Sequence, residues 1–327
     1  MLSDLSEQLK YSSVEKSNFL VYEPYIRNKG ISLMQSVNIA NPSVSIVILN
    51  YNGGEDVLEC LQSVTQIDYP AYEVIIVDNG SKDESLQNIK KRYPSIRIVE
   101  NKRNLGFSEG NNVGIRESAA PYILLLNDDT VVSKGILKDL LGAIQGDQNI
   151  GIAGPAVMYY KNPDRIWSAG AKIGLLGYAS HLGKGQKMDS YNLPSRVPYI
   201  CGCAILIKRD VINRVGLLDA EYFAYFEDAD YCFRARKAGY RCLYVPSPTV
   251  WHKVNAEWIN SPVQAYYNMR NPFMFARKNL KGLRKIIFIT SQIVLMFPYY
   301  SIKLFGKDSK IFRGLVRGLK DGLNYRL

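Results

Sequence analysis

The sequence lacks the signatures of several common nucleotide and metal sites. No G-x-G-x-x-G follows the first apolar run, so a dinucleotide site of the Rossmann kind is disfavoured. No G-x-x-x-x-G-K-[ST] occurs, which removes a P-loop; any phosphate bound here would need a metal to carry much of its charge. Cysteine is scarce: Cys60, Cys201, Cys203, Cys232 and Cys242 are scattered through 327 residues. Cys201 and Cys203 form C-x-C, and no second pair or histidine cluster completes a zinc site. Buried free thiols in a reducing compartment are expected. The N-terminus, MLSDLSEQLK, carries acids and no apolar h-region, so no signal peptide is expected. There is no internal repeat and no low-complexity tract.

What is present is an ordinary globular composition, 47% hydrophobic and 22% charged, with a net charge of +11. The charge is uneven. Residues 281–327 hold ten Lys/Arg against two Asp, a net of +8, which leaves +3 for residues 1–280. A nearly neutral body with a basic tail suits an anionic membrane surface better than nucleic acid, which needs a basic, aromatic face on the body itself.

Residues 1–42 read as an extension, with a possible short helix over 1–16 and a boundary at Asn41-Pro42. Apolar runs at 44–49, 72–77, 96–99 and 123–126 then alternate with helical patterns at 55–66, 83–92, 108–118 and about 133–145. This β-α alternation predicts a parallel sheet with helices on both faces. Three of the runs end in polar clusters: 50–54 (NYNGG), 78–81 (DNGS) and 127–129 (NDD). Open α/β sheets bind ligands at that edge. Asp78, Asn79, Asn104 and Asn111 can hydrogen-bond a base or ribose, while Gly106 and Gly110 permit close backbone approach. Asn, Asp and Gly also simply make turns, which is the plainer account of each taken singly. Adjacent Asp128 and Asp129 repel, and a hard divalent cation such as Mg²⁺ or Mn²⁺ resolves that cost.

The second half reads less regularly. Residues 151–158 predict a strand, and 167–185 a hairpin or surface loop with His181 as a surface or loop histidine. Residues 199–207 form an apolar run interrupted by Gly202, and 210–215 a short helix. Glu227, Asp228 and Asp230 follow an aromatic run at a predicted helix start, where acids favour the dipole or can serve as a general base. A strand is expected at 241–245, then a Pro-containing turn before His252, a possible third metal ligand. Residues 255–279 predict a helix broken near Pro262 and Pro272, with Arg270 able to grip a diphosphate. Residues 286–305 are apolar with basic flanks, consistent with an interfacial segment, a core helix or a span.

Taken in order, VSIVILNYN (44–52), VDNGS (77–81), NLGFSEGNN (104–112), LLNDDT (125–130), FEDAD (226–230) and Trp251-His252 resemble family 2 glycosyltransferases of the GT-A fold. The set is most similar to rhamnosyltransferase-like members that build surface polysaccharide. The resemblance covers about residues 43–280, a nucleotide-sugar half (43–130) and an acceptor half (131–280), and leaves 281–327 as basic amphipathic helices. It implies inverting transfer from a dTDP- or UDP-sugar to a glycan or lipid-linked hydroxyl, with a divalent metal, at the cytoplasmic face of the cell membrane. By resemblance, Asn50, Asn52 and Asp78 surround the nucleoside. Asn127-Asp128-Asp129 resembles a D-x-D element with Asn in its first place. Asp129 is then the direct metal ligand, with His252 completing the site and Asp128 near metal or ribose. Asp228 matches the base, with Glu227 as the alternative. Arg270 resembles an arginine near the diphosphate.

Two other classes compete. A scaffold that kept the fold without chemistry has no reason to keep Asp128, Asp129, Glu227, Asp228 and His252 together. A nucleotidyltransferase would carry a basic Gly-rich loop after the first strand, and residues 50–56 hold no Lys or Arg.

Overall fold

The computed structural model describes residues 43–254, 261–304, 306 and 308–326. The helix expected over 1–16 lies outside the described residues.

β1 (Val44–Asn50) is buried almost throughout, as an apolar run inside a covered sheet must be. α1 (Gly54–Val64) buries Val57, Leu58, Leu61 and Val64 on one side. β2 (Tyr72–Asp78), α2 (Ser85–Arg92), β3 (Arg97–Glu100), α3 (Gly106–Glu117) and β4 (Tyr122–Asn127) complete the alternation. These strands lie in the order β3-β2-β1-β4, all parallel. The register sets Asn50 beside Asp78, and Leu49 beside Asn127, so the polar strand ends come level.

After β5 (Thr130–Val132), α4 (Ile136–Gln145) and β6 (Ile150–Tyr159), the chain makes β7 (Ile166–Ser168) and a separate hairpin, β8 (Ala171–Ile173) with β9 (Ala179–His181). β10 (Ser195–Val197), β11 (Ala204–Lys208), α5 (Arg209–Val215), α6 (Glu227–Lys237) and β12 (Arg241–His252) follow. β11 inserts antiparallel between β4 and β6, while β12 pairs parallel with β6. Among the described residues the main sheet therefore has ten strands and is parallel through β4, then mixed. A single helical crossover imposes parallel pairing; the long non-helical route into β11 does not. β12 also runs further than expected. Its register slips between Val245 and Thr249, around Pro246 and Pro248, and the ladder then resumes to His252.

Two cores cover the sheet. Val47, Val77 and Leu125 pack with Ile115 and Tyr231 on one face; Ile46, Ile48 and Leu124 pack with Leu61, Leu137 and Leu140 on the other. α7 (Pro262–Asn279) begins with a Ser261 cap and Pro262 in its first turn, and continues through Pro272. The break expected at Pro272 does not occur: Met269, Phe273 and Phe275 are buried around it, and that packing outweighs the lost backbone bond. α8 (Gly282–Ser291), a π-turn (Gln292–Met296) and α9 (Phe297–Leu304) form one 23-residue apolar helix, long enough by length and composition to cross a membrane. α10 (Ser309–Asn324) lies on α7 so closely that a Cβ on Gly318 would stand 2.3 Å from the Tyr266 carbonyl oxygen. Ala265, Met269, Phe273, Tyr300, Leu304, Ile311 and Leu315 make a third core there.

Candidate active site

The donor edge is built from loops that follow the parallel strands. The Asn50 side chain donates to Asp78 Oδ1 at 2.7 Å and to Ser81 Oγ and Ser85 Oγ at 3.1 Å. Asp78 Oδ2 accepts from the backbone N–H groups of Gly80 and Ser81 at 3.1 Å. Asn52, with a left-handed φ of 55°, accepts from Lys82 N–H at 2.7 Å and ties the β1 loop to the β2 loop. Gly53 is required here: a Cβ would stand 2.6 Å from Asn50 Oδ1 and 2.8 Å from Asp128 Oδ2.

Asn104 and Asn111 were expected to face a ligand, and the structure turns them to other work. Asn104 Oδ1 accepts from Asn79 Nδ2 at 3.0 Å and Gly106 N–H at 2.8 Å. Asn111 is buried and donates to its own helix at Phe107 O. Gly106 has φ 84°, and a Cβ on it would meet the Phe223 ring at 2.5 Å. These contacts shape the loop.

Asp128 and Asp129 sit between β4 and β5, and His252 is level with Thr130 across the β5–β12 ladder. His252 Nε2 and Asp129 Oδ1 are 3.1 Å apart. Burial pushes the Asp129 carboxyl up, but the hydrogen bond and charge of His252 outweigh it and hold the group below the usual carboxylate range. Burial opposes protonation of His252, and Asp129 reverses the balance and raises it. Asp128 is pushed up to about 7 by burial and then by the Asp129 charge. His252 Nδ1, Asn127 Oδ1, Asn50 Oδ1 and Glu227 Oε2 are buried without a hydrogen-bond partner among the described residues, and Asp129 Oδ1 has the His252 contact alone.

Of these groups, Asp129 and His252 lie close enough together to serve as two donors to one cation. No group of three or more His, Cys, Asp or Glu side chains among the described residues is arranged to hold a metal. Two protein donors still suit Mg²⁺ or Mn²⁺, which take much of their shell from water and substrate phosphates. Donors on neighbouring corners of an octahedral Mg²⁺ shell lie about 3 Å apart, close to the Asp129–His252 spacing.

Asp228 and Glu227 open α6, at the end of a strained approach. Phe223, Tyr225 and Phe226 have φ of 63°, 70° and 73°, costly for residues with a Cβ and typical of functional loops. Asp228 Oδ2 accepts from Gly202 N–H at 3.0 Å, and Oδ1 from Ala229 N–H at 2.7 Å. Burial raises both acids, Glu227 further because it also faces the Asp228 charge; the two N–H donors pull Asp228 back. With its two N–H donors, Asp228 is the better placed of the pair to bear negative charge. Asp230 is a different matter. Arg234, Tyr222 and Asn279 all bond to it, so it braces α6 against α7.

One short segment joins the two acid centres. Gly202 N–H holds Asp228, and the next carbonyl, Cys203 O, accepts from Asn127 N–H at 2.9 Å.

Arg270, expected near a diphosphate, is tied to the loop before α6 and to Asn271 through two of its three nitrogens. Its Nη2 donates to Glu221 O at 2.5 Å and Tyr222 O at 3.1 Å, its Nε to Asn271 Oδ1, and its guanidinium lies over Tyr267. Sequence reasoning missed its neighbour. Asn271 is fully buried, and its amide reaches the carbonyls of Tyr222, Ala224 and Tyr225 at 2.7–3.0 Å. The N–H groups of Phe107 and Ser108 hold Phe223 O from the opposite side. The strained loop is thus clamped between α7 and α3. An Asn on a predicted helix gives no local sign of this. His181, expected as a surface or loop histidine, is half-buried: its ring lies 4.2 Å from Trp167, which meets His252 edge-on at 4.8 Å. A cleft of about 620 Å³ lined by Tyr122, Lys208, Arg209 and Tyr240 opens at the other end of β4 and includes none of these residues.

A mostly parallel sheet with acids at its ligand edge and a C-terminal acid-bearing helix defines a class, and comparison identifies it. The chain belongs to glycosyl transferase family 2, whose profile matches residues 45–216. It is similar to the dTDP-rhamnosyl transferase RfbF of Shigella flexneri, 24% identical over 87% of this chain and 99% of that protein. It is also similar to the N-acetylglucosaminyl-diphospho-decaprenol L-rhamnosyltransferase of Mycobacterium tuberculosis, 27% identical over 63% of this chain and 75% of that one. The fold is GT-A, as in the mannosyltransferase PcManGT of Pyrobaculum calidifontis solved with GDP-Man and Mn²⁺. That structure aligns at a TM-score of 0.56 and 14% identity over 87% of this chain and 88% of that one.

Proposed function

We propose that the protein is an inverting, metal-dependent glycosyltransferase. It moves a sugar, rhamnose foremost, from a dTDP- or UDP-sugar to a hydroxyl of a lipid-linked glycan in surface polysaccharide synthesis. The observation that carries this is the 202–203 segment, which holds the base candidate Asp228 and the Asn127-Asp128-Asp129 element on consecutive residues. Donor diphosphate and acceptor hydroxyl can then meet between them.

Asn50, Asn52 and Asp78 would surround the nucleoside. Asp129 and His252 would hold the cation, with Asp128 beside it, and the bound cation would neutralise charge growing on the diphosphate. Asp228 takes the proton of the attacking hydroxyl, the acceptor oxygen bonds to C1, and the C1–diphosphate bond breaks on the opposite face. One displacement inverts the anomeric centre. Asp228 carries the charge a base needs, while Glu227, kept neutral, lines the site. The names of the two rhamnosyltransferase relatives support the donor, and the decaprenol-linked acceptor of one supports a lipid-linked acceptor.

The acceptor class also supports a place at the cytoplasmic membrane face. α10 exposes Phe312, Val316 and Leu323 beside Arg313, Arg317 and Lys320. An apolar strip flanked by cations suits an interfacial helix on anionic lipid.

A donor screen tests the reading. Purified protein is melted with Mn²⁺ or Mg²⁺ and a panel of nucleotide sugars. Stabilisation by one sugar nucleotide, abolished by EDTA, is the expected result. Binding of none, with or without metal, overturns the transferase reading.

A further inference from the structure

Much of the exposed apolar surface of the C-terminal half lies in two elements that touch. On the helix Gly282–Leu304, Phe288, Ser291, Gln292, Tyr300 and Leu304 are buried, while Ile286 and Val294 are 62% and 60% exposed. The β8–β9 hairpin carries the other patch, with Leu175, Leu176 and Tyr178 at its turn 56%, 47% and 49% exposed.

That turn is fastened in place. The Leu176 carbonyl accepts from Ser291 Oγ at 2.6 Å and Gln292 Nε2 at 3.2 Å. Gly177 lies on the Phe288 ring with no room for a Cβ, which would stand 2.7 Å away. Gly174 N–H and Gly177 N–H close the turn on Tyr178 O and Gly174 O at 3.0 Å. The backbone is thus anchored inward while two adjacent leucines point out. Holding both in water costs free energy and returns nothing within the chain. The surroundings show what would cover them. Residues 282–304 contain no Asp or Glu, and Lys281, Arg284 and Lys303 on the helix and Lys172 on β8 are exposed cations. Apolar residues among cations without acids match the boundary of an anionic bilayer.

The other end of the hairpin is rooted at the proposed active site. Ala171 bridges to Tyr199, and His181 bonds Ser168 Oγ at 3.0 Å while its ring lies tilted against Trp167, the neighbour of His252. Each strand of the hairpin has three residues, or about 10 Å of length.

We propose that the β8–β9 turn is a lipid-inserting element. It extends the membrane surface beyond the C-terminal helices and holds the active site within a short reach of the bilayer, where a lipid-linked acceptor presents its hydroxyl. This rests on the membrane placement proposed above.

The experiment is co-sedimentation with vesicles of phosphatidylglycerol and phosphatidylcholine. It compares the full chain, Leu175→Ser/Leu176→Ser, and Ile286→Ser/Val294→Ser. All four side chains are exposed, so folding should survive, and an unchanged melting temperature verifies it. The hairpin variant is expected to bind roughly tenfold more weakly or worse, with donor-dependent stabilisation unchanged. Parent-like binding by the hairpin variant, with loss in the helix variant, overturns the hairpin proposal alone. Failure of the parent to bind overturns both it and the membrane placement.

Discussion

The donor edge and the acid edge of this site are built on opposite principles. At the donor edge Asn50, Asp78, Asn79 and Asn104 bond one another and the loop backbones, and of their buried atoms Asn50 Oδ1 is the one left without a partner among the described residues. At the acid edge Asn127, His252 and Glu227 keep buried atoms without partners among the described residues, and Asp128, Glu227 and Asp228 are all raised. A closed network fixes shape before binding. An edge with crowded acids and orphaned atoms stores unfavourable electrostatics that ligand charge relieves. The first is a mould and the second is where chemistry is expected.

The sharpest way to break this contrast is to neutralise one acid at a time. Asp228→Asn removes the charged partner and should lower kcat by about 10²–10⁴-fold with donor affinity intact. Glu227→Gln replaces a group that already holds a proton and should cost far less. Steady-state transfer assays with donor titrations read both, and equal losses would sink the division of roles.

The next largest effect tests what holds the acid edge in its strained place. Asn271→Leu leaves the carbonyls of Tyr222, Ala224 and Tyr225 without their amide donor. A loss of about 2–4 kcal/mol in stability is expected, together with a fall in kcat that exceeds any change in donor affinity. A stability loss with kcat unchanged would make Asn271 a purely structural clamp. Asn271→Gln, which keeps the amide, should recover part of the rate if positioning is the role.

The smallest effect concerns the flank between the two proposed contacts, metal and membrane. Burial lowers His181 from 6.5 to about 4. Between those values the unfolded chain binds a proton that the folded one refuses. Stability contributed by neutral His181 is thus complete above pH 6.5 and is lost as pH falls towards about 4. His181 is partly exposed, so the change should be on the order of 1–2 kcal/mol. Urea melts of parent and His181→Gln across this range should show the variant with the shallower slope; parallel slopes would remove His181 as the cause.

Parts of this molecule were plain in the residues. β1 to β4 were legible because short, mostly apolar runs of four to six residues that alternate with helical patterns have few structures open to them, and their polar ends follow from the parallel register. The acids at 128–129 and 227–228 and His252 stood out because closely spaced buried charges need an explanation. Asn104 and Asn111 bond within the loop and helix, contacts that sequence reasoning could not tell from ligand contacts, because an Asn that shapes a loop and one that meets a ligand look alike. Pro272 and the proline pair 246/248 were read as breaks from local rules, and packing or a register slip absorbed them.

The sequence by itself determined the family, the parallel half of the sheet and the residue types at its ligand edge, because these rest on local periodicity and short spacing. Only the tertiary structure decided the rest. It set β11 antiparallel beside β4, seated Gly202 on Asp228, spent Arg270 and Asn271 on the loop before Glu227, and fastened the β8–β9 turn to the apolar helix. Each of these is a contact between residues 26 to 116 positions apart. Such contacts depend on which of many possible donors and acceptors the packed chain brings within 3 Å, and no single stretch of sequence carries that information.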